Sequence, residues 1–402
     1  LVLKYSDGAV MSVTEADLLD YPGWNLERAA GDRTALKARM AKRITLCLAS
    51  LVLLLNAALT AFLFQSGESY TYMMGHFPAP WGNEIRAGSL EAVSLLFFMG
   101  VIFCAFVGGR ERSFTDIEET KYNIFCILID LVILSLQALV YTNDLFTAYV
   151  FVEIDTIAAC GLIMIRQNGR CIEAAVRYMI MSLLGSGLLL LGICMIYDLT
   201  GHLLMENIRQ QITAIMAAGT YRIPMLIMIG ILTVGLAIKS ALFPFHSWVP
   251  DAYGYATVSS GAILSSLVSK GYIFLLIKIM YRVIGLDVIV QTGITDVLFA
   301  FALVGMVMGS LSAIRQNDIR RMVAFSSVAQ IGYIYAGLGL GVHAGYVAAI
   351  YHVVMHAFAK SALFISSSAL SDVSGNSKRF SDLRGAGFRH PTAGACFCVA
   401  SM

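Results

Sequence analysis

Hydrophobic positions along this chain are grouped into long runs, and the polar positions between them form short segments. A helix that crosses a lipid bilayer needs roughly 20 predominantly apolar residues, and a window of that length predicts ten complete spans here. The predicted spans are Ile44–Phe64, Leu90–Val107, Tyr122–Val140, Leu145–Ile165, Tyr178–Tyr197, Pro224–Phe245, Val258–Tyr281, Val297–Ile314, Met322–Leu340 and Ala344–Leu370. An eleventh run begins near Thr392. The pattern predicts an all-α, polytopic transmembrane helix bundle.

Composition agrees with a membrane protein. Apolar residues make up 58% of the 402 residues and charged residues only 13%, whereas soluble domains carry about 25% charged residues. The eight cysteines include no C-x-x-C pair, so no zinc or iron–sulfur site is predicted. The basic residues lie at the ends of the spans, and the net charge of +2 gives no indication of nucleic-acid binding. We expect no catalytic centre, no cofactor and no metal in this chain.

The distribution of polar residues divides the chain into two predicted regions. Residues 1–43 are mostly polar and are predicted to form an N-terminal arm or loop, whereas residues 44–402 form the transmembrane domain. No signal peptide is evident at the N-terminus. Residue 1 is not methionine, and the chain ends at Met402 within an apolar run. We therefore expect that the sequence is incomplete at the C-terminus and also at the N-terminus.

Basic residues indicate how the spans are oriented, because cytoplasmic connections are enriched in Lys and Arg. A basic segment precedes the first span, and every second connection after it is basic as well. These residues are Arg33, Lys37, Arg39, Lys42, Arg43, Arg110, Arg112, Lys121, Arg166, Arg170, Arg177, Arg315, Arg320, Arg321, Lys378, Arg379, Arg384 and Arg389. Lys278 and Arg282, on an outer segment, are the exception. The stretch Gly201–Gly219 is amphipathic and is predicted to be a surface helix on the outer face. We expect a multi-pass protein of the cytoplasmic (inner) membrane.

Lys239 and Lys270 lie deep inside apolar spans. An ammonium group at that depth costs roughly 2.5–3.5 kcal/mol on insertion scales, and such residues usually mark an ion or proton path. Glu153 lies about a third of the way into another span. If Glu153 meets Lys239, each would keep the other charged, and separating them would let Lys239 release its proton. A static buried ion pair that holds two helices together is the alternative.

His352, His356 and Lys360 are spaced at i, i+4 and i+8 and therefore line one face of a helix. Because histidine titrates near neutral pH, three titratable groups in a row favour a proton relay. Buried histidines that only donate and accept hydrogen bonds are the alternative. A zinc site is disfavoured because no glutamate follows the first histidine and no third ligand is evident. A haem site is disfavoured because it would need histidines from two facing helices.

Other polar residues in the spans have more ordinary interpretations beside the functional ones. Pro244 follows Lys239 closely and predicts a broken helix of the kind found at transporter ion sites; a simple helix end with an interfacial Trp248 is the alternative. Asp130 and Asp155 serve either in helix–helix contacts or in the path. Asp155 is about 200° round the helix from Glu153 and so faces another way. Asp144 is predicted to cap its helix.

Serine hydroxyls precede Lys270 at positions 265, 266 and 269, and they could hold water beside its ammonium group.

Three sequence blocks resemble one family. They run from Asp144 to Glu153, from Lys239 to Ala252 with its Phe-Pro-Phe-His-Ser-Trp-Val-Pro-Asp core, and from Asn317 to Tyr333. The chain is similar there to the antiporter-like membrane subunits shared by respiratory complex I (NADH:quinone oxidoreductase), membrane-bound hydrogenases and Mrp-type cation/proton antiporters. The resemblance covers residues 44 to 402, and the histidine stripe occupies the place of the family's histidine-rich helix.

This resemblance implies a horizontal polar axis in the middle of the membrane. Glu153 and Lys239 would be its ion pair, Lys270 its central relay, and His352, His356 and Lys360 its onward link. The family's outlet residue belongs to a later helix that this sequence does not include. The sequence also departs from the family at two places: the segment 254–260 replaces a proline-rich turn before the Lys270 helix, and Gly88 replaces an aspartate.

The expected function is a proton-translocating, antiporter-like membrane subunit of a redox-driven complex of the NADH:quinone oxidoreductase or membrane hydrogenase type. No redox centre is evident, so a partner's reaction would drive the charge movement. A subunit of an Mrp-type Na⁺/H⁺ antiporter is the first alternative, and a structural membrane scaffold with static charge pairs is the second. The expected partners are other membrane subunits, protons (or Na⁺) and the lipid bilayer, with no nucleic acid.

Overall fold

The computed structural model describes residues 2–4, 10–12, 26–77, 82–109 and 116–402, with side chains from residue 37 onward. Ten helices in this part of the chain are long and apolar enough to cross a membrane, as the hydrophobic runs predict. The helices in chain order are α1 (Leu26–Ser66), α2 (Ser89–Gly108), α3 (Tyr122–Tyr141), α4 (Leu145–Met164), α5 (Gly169–Thr200), α6 (Met205–Ala218), α7 (Arg222–Lys239), α8 (Val249–Tyr255), α9 (Val258–Ile284), α10 (Leu286–Gln291), α11 (Ile294–Ile314), α12 (Ile319–Gly339), α13 (His343–Asp372), α14 (Ala386–Arg389) and α15 (Pro391–Ser401). The all-α bundle is confirmed.

Short elements connect the spans. Two antiparallel strand pairs are formed by β1 (Val2–Lys4) with β2 (Val10–Ser12), and by β3 (Tyr70–Met73) with β4 (Glu84–Ala87). Helix α6 has a single buried stripe of Met205, Ile208 and Ile212, as expected for an amphipathic surface helix.

Helix α1 begins well before the first predicted span, so the backbone is helical across position 43. The division of the chain into an arm and a transmembrane domain stays a prediction. Most of residues 1–25, and the side chains of residues 26–36, lie outside the described residues.

The sixth span ends earlier than predicted and is broken, as its proline indicates. Helix α7 ends at Lys239, and Ala241 then adopts a left-handed conformation with φ of +64°. A short 3₁₀ turn, Phe245–Trp248, leads into α8. The predicted end at Phe245 is wrong, because Pro244 has no N–H to donate to a continuing helix. Lys239 is therefore the last residue of α7, beside backbone that is no longer helical.

Helix α9 is the centre of the bundle. Its apolar stretch is completely buried within this one chain, which is true of no other span in the described residues. Two π-helical segments, Leu264–Val268 and Ile279–Ile284, interrupt it, and such segments are frequent at functional sites. Thr257 caps its start by accepting a hydrogen bond from the Ser260 N–H at 3.1 Å. Lys270, immediately after the first π segment, is thus held at the core of the protein.

Two glycines let α5 and α7 approach closely beside Lys239. A Cβ atom at Gly235 would lie 2.9 Å from both the Gly185 carbonyl oxygen and the Leu189 backbone nitrogen. A Cβ atom at Gly185 would lie 2.9 Å from Cγ of Lys239. Small residues commonly allow such contacts between membrane helices. The close contact between α5 and α7 therefore fixes the position of the Lys239 side chain where it extends from α7.

We expect the Gly235→Ala substitution to lower the free energy of unfolding by about 1–2 kcal/mol, because the added methyl group meets backbone atoms that cannot yield. Thermal unfolding in detergent would measure this loss. Gly230→Ala, on the same helix, is the matched control, because nothing lies within 4 Å of a Cβ there. Its stability should be unchanged or slightly increased. Equal effects at the two positions would contradict the close-packing interpretation.

Candidate functional site

Glu153 and Lys239 meet, as the sequence predicts. Glu153 on α4 and Lys239 at the end of α7 form an ion pair with 3.3 Å between Oε1 and Nζ. Ser186 on α5 donates a hydrogen bond to the same carboxylate oxygen. The Lys239 side chain is completely buried, whereas that of Glu153 is 25% exposed. Three helices therefore converge on one ion pair, of which the lysine is buried and the carboxylate is partly exposed.

Lys239 also contacts residues that lead toward the centre of the bundle. Its Nζ donates to the hydroxyl of Thr156 at 2.7 Å, and it lies 5.3 Å from the ring centroid of Tyr272. The hydroxyls of Thr156 and Tyr272 are 3.4 Å apart. Tyr272 belongs to α9 and is two residues from Lys270. The ion pair is thus connected by polar contacts to the helix that carries the central lysine.

The other aspartates of these spans have different surroundings. Asp155 is fully buried and accepts a hydrogen bond from Ser135 on α3 at 3.2 Å, but its carboxyl group also interacts with Tyr272 and Lys239, so it adjoins the ion pair although the helix geometry predicted that it faces another way. Asp130 accepts from Thr45 at 3.0 Å, in a contact between α3 and α1. Asp144 accepts from the Thr147 N–H at 2.6 Å, so its predicted role as a helix cap is confirmed.

Lys270 is joined to Lys360 by a chain of short polar contacts. Lys270 Nζ donates to the backbone carbonyl of Ser265, and the hydroxyls of Ser265 and Ser327 are 3.0 Å apart. Ser327 donates to the Val323 carbonyl at 3.2 Å, and Lys360 Nζ donates to the same carbonyl at 3.1 Å. The chain therefore crosses from α9 through α12 to α13.

The histidines extend this chain along α13. The rings of His352 and His356 are nearly parallel, with centroids 6.1 Å apart. His352 Nε2 lies 2.6 Å from the amide oxygen of Gln330, which is on α12. His356 is 3% exposed, and neither of its ring nitrogens has a hydrogen-bond partner among the described residues. Lys360 also donates to the hydroxyl of Ser326. All three residues of the predicted stripe thus face α12 or the interior.

We refer to the residues from Glu153 and Lys239 through Lys270 to Lys360 and the histidines as the titratable series; among the described residues, carboxylates lie only at its Lys239 end. Glu153 pairs with Lys239, but within the part of the chain that the structure describes, neither Lys270 nor Lys360 forms a salt bridge. The same described residues contain no group of three His, Cys, Asp or Glu side chains placed to hold a metal ion. The arrangement can hold and pass protons among lysine, histidine and hydroxyl groups.

Sequence reasoning singled out Ser265 beside Lys270 but missed the other hydroxyl residues that join the titratable groups. Thr156 could have been found, because it is three residues from Glu153 and shares its helix face. Ser186, Ser326 and Ser327 gave no usable signal, since serines in membrane helices commonly bond to their own helix backbone. Tyr272 could not be separated from an ordinary core aromatic residue.

Comparisons with known proteins agree with this geometry. The family described as "NADH:quinone oxidoreductase/Mrp antiporter, TM" matches residues 142–402, which include every predicted site residue. The chain is 33% identical over 338 residues to NADH-quinone oxidoreductase subunit N of Desulforudis audaxviator, covering 84% of this chain and 66% of that protein. It is 28% identical over 371 residues to the same subunit of Erythrobacter litoralis, covering 91% of this chain and 71% of that one. Of eight curated relatives that it matches, the chain spans between 50% and 71% of their length.

Two solved structures share the fold. One is the membrane-bound sulfane sulfur reductase, an archaeal respiratory membrane complex, with a TM-score of 0.81 and 25% identity, covering 91% of this chain and 74% of that one. The other is the Mrp complex from Dietzia sp. DQ12-45-1b, with a TM-score of 0.74 and 23% identity, covering 87% and 64%. The ten apolar helices and the family match together make this a multi-pass membrane protein. The chain belongs to the NADH:quinone oxidoreductase/Mrp antiporter transmembrane family.

Proposed function

We propose that this chain is a proton-translocating, antiporter-like subunit of a redox-driven complex of the NADH:quinone oxidoreductase type in the cytoplasmic membrane. The names of the relatives support this assignment, and so does the series of buried titratable groups. The chain would work beside other membrane subunits, which would supply the electron transfer. Moving one elementary charge against 100 mV costs about 2.3 kcal/mol, so such an energy source is required.

The proposed mechanism begins at the ion pair. Attraction to Glu153 holds the ammonium group of Lys239 close to the carboxylate, at the start of the titratable series. When an event in a neighbouring subunit weakens this attraction, the flexible Lys239 side chain turns fully toward Thr156 and Tyr272. Its charge then acts more strongly on Lys270, and like charges at short range in a low-dielectric interior repel strongly. A proton on Lys270 is thereby driven toward Lys360 and His356, and Lys239, no longer paired with Glu153, then passes its own proton to Lys270.

One observation carries the proposal: Lys270 is buried without a carboxylate partner among the described residues. A static scaffold would use buried charges as pairs, because an unpaired buried charge costs several kcal/mol and stabilises nothing. Lys270 therefore has no evident structural benefit, whereas a group that accepts and releases protons needs to be free of a permanent counter-ion.

The Lys270→Met variant tests this proposal. We expect the complex to assemble with unchanged or increased stability, because the costly charge is gone, and proton pumping to fall at least tenfold. Proton uptake into proteoliposomes during electron transfer would be measured with a pH-sensitive dye, alongside thermal unfolding of the purified complex. Normal pumping by this variant would refute the proposal.

Lys278→Met is the matched control on the same helix. Lys278 is also buried, but it donates to the Val140 and Thr142 carbonyls at 2.8 and 2.6 Å, away from the titratable series. This variant should lose stability yet pump normally once assembled. Sodium movement without an electron donor, abolished by Lys270→Met, would instead identify an Mrp-type antiporter.

A further inference from the structure

Three connections that the positive-inside pattern assigns to the cytoplasm meet around one cleft of about 610 Å³. Arg166 and Arg170 line it from the connection between α4 and α5, and Lys378 and Arg379 line it from the segment after α13. Asp318, just before α12, completes the wall. We refer to this feature as the basic cleft.

Positive charge in the basic cleft exceeds the negative charge available to balance it. Asp318 is the only carboxylate among the lining residues in the described part of the chain, and it already accepts hydrogen bonds from the N–H groups of Arg320 and Arg321. Arg166 reaches Asp116 only at 3.5 Å. Lys378 Nζ donates to a neutral group, the Gly254 carbonyl, at 3.2 Å. The four lining cations therefore have room for a further anion.

The N-terminus of a helix also lines the basic cleft. The basic cleft includes Gly169 and Arg170, the first residues of the 32-residue helix α5. The first N–H groups of a helix have no partner within the helix and attract anions, most often phosphate. Three arginines, one lysine and a helix N-terminus thus surround one cavity.

The position of the basic cleft relative to the membrane surface indicates which kind of anion binds there. Arg166 follows the end of α4 at Met164 by two residues, and Arg170 is the second residue of α5. Arg166 therefore lies where the apolar span of α4 leaves the hydrocarbon layer, at the level of the lipid headgroups, and Arg170 lines the same cleft from the start of α5. Basic pockets between membrane helices on the cytoplasmic side are known to hold anionic headgroups. We propose that the basic cleft binds the phosphate group of an anionic phospholipid.

A bound phosphate would change the protonation of Lys378, which lines the basic cleft. Burial, together with the nearby Arg320 and Arg166, lowers the pKa of Lys378 to about 8. A phosphate bound beside it would stabilise the ammonium form and move this pKa back toward its ordinary value.

Lipid binding to the complex containing this chain can be measured by native mass spectrometry with phosphatidylglycerol. Because each basic residue near an anionic headgroup contributes about 1 kcal/mol, removing one charge should weaken binding roughly fivefold. The Arg166→Gln/Lys378→Gln double variant should therefore weaken it roughly 30-fold. A photoactivatable phosphatidylglycerol should also label peptides near residues 166–170 and 376–379 in the unmodified protein, which keeps the test valid if the variant folds poorly.

The matched control is Arg315→Gln/Arg384→Gln, which removes two exposed cytoplasmic charges outside the basic cleft. Its affinity for phosphatidylglycerol should match that of the unmodified protein, and phosphatidylcholine should bind much more weakly to both. Equal loss in the two double variants, or labelling elsewhere, would overturn the proposal. Displacement of the lipid by equimolar inorganic phosphate would replace it with a soluble phosphate ligand. Loss of a neighbouring subunit with no lipid bound would replace it with an acidic protein contact.

Discussion

The Lys239→Met variant should assemble into its complex and pump protons about 100-fold more slowly than the unmodified protein. A positioned proton-transferring side chain typically contributes a factor of 10² to 10⁴, which sets this expectation. Within the described part of the chain, Lys239 links Glu153 to the Thr156 hydroxyl, which leads to α9. Methionine fills a similar volume but carries neither charge nor proton. Proton uptake into proteoliposomes, normalised to assembled complex and to electron transfer, would give the value.

A double variant separates the effect on transport from the effect on stability. In Lys239→Met the Glu153 carboxylate keeps only Ser186 as a partner, so some stability should be lost. The Glu153→Gln/Lys239→Met double variant removes both charges and should recover much of that loss, but it should not recover pumping. If pumping returned together with stability, the pair would be a static support between helices.

Arginine at position 239 tests whether the proton itself must leave. Arg is always charged in proteins, so Lys239→Arg can keep the ion pair but cannot release a proton. We expect this variant to assemble and still fail to pump. Pumping at the normal rate would show that Lys239 acts only through its fixed charge.

The sequence predicted both ends of the titratable series, the Glu153–Lys239 pair and the histidines, better than the serine contacts between them. The meeting of Glu153 with Lys239 was predictable, because buried charges in membranes pair with one another. The broken helix was predictable from Pro244, but the exact end at Lys239 was not, since it depends on the left-handed turn at Ala241. Spacing alone placed the histidines on one face.

The serine contacts could not be predicted, because the hydroxyl of a serine in a span can bond either to the backbone of its own helix or to a side chain on another helix. Ser310 donates only to its own helix backbone at 2.7 Å and is exposed on α11. Ser265 instead meets Ser327 on another helix. The sequences around them do not distinguish the two cases. Which helix lies opposite each serine decides the outcome, and that follows from the central position of α9.

The largest effect on stability is expected at a second ion pair, Glu91 with Arg282, which lies outside the titratable series. Glu91 on α2 pairs with Arg282 at the end of α9, with 2.8 Å between Oε1 and Nη1, and its side chain is only 3% exposed. Its charge also acts on the buried Lys278. Gly88, where the family has an aspartate, leaves room for this carboxylate, since a Cβ there would lie 2.6 Å from Glu91 Oε2. One carboxylate therefore balances two cations.

We expect Glu91→Gln to lower the free energy of unfolding by about 2–4 kcal/mol, because removing the buried carboxylate leaves the buried Lys278 and the partly buried Arg282 uncompensated. Glu206→Gln is the matched control: Glu206 pairs with Arg86 at 3.2 Å but is 58% exposed, so its loss should cost less than about 1 kcal/mol. Denaturant unfolding of both variants would give the two values. Assembled Glu91→Gln complexes should pump normally, because the pair lies outside the series from Lys239 to Lys360. A pumping defect with unchanged stability would mean that this outer cluster belongs to the proton path.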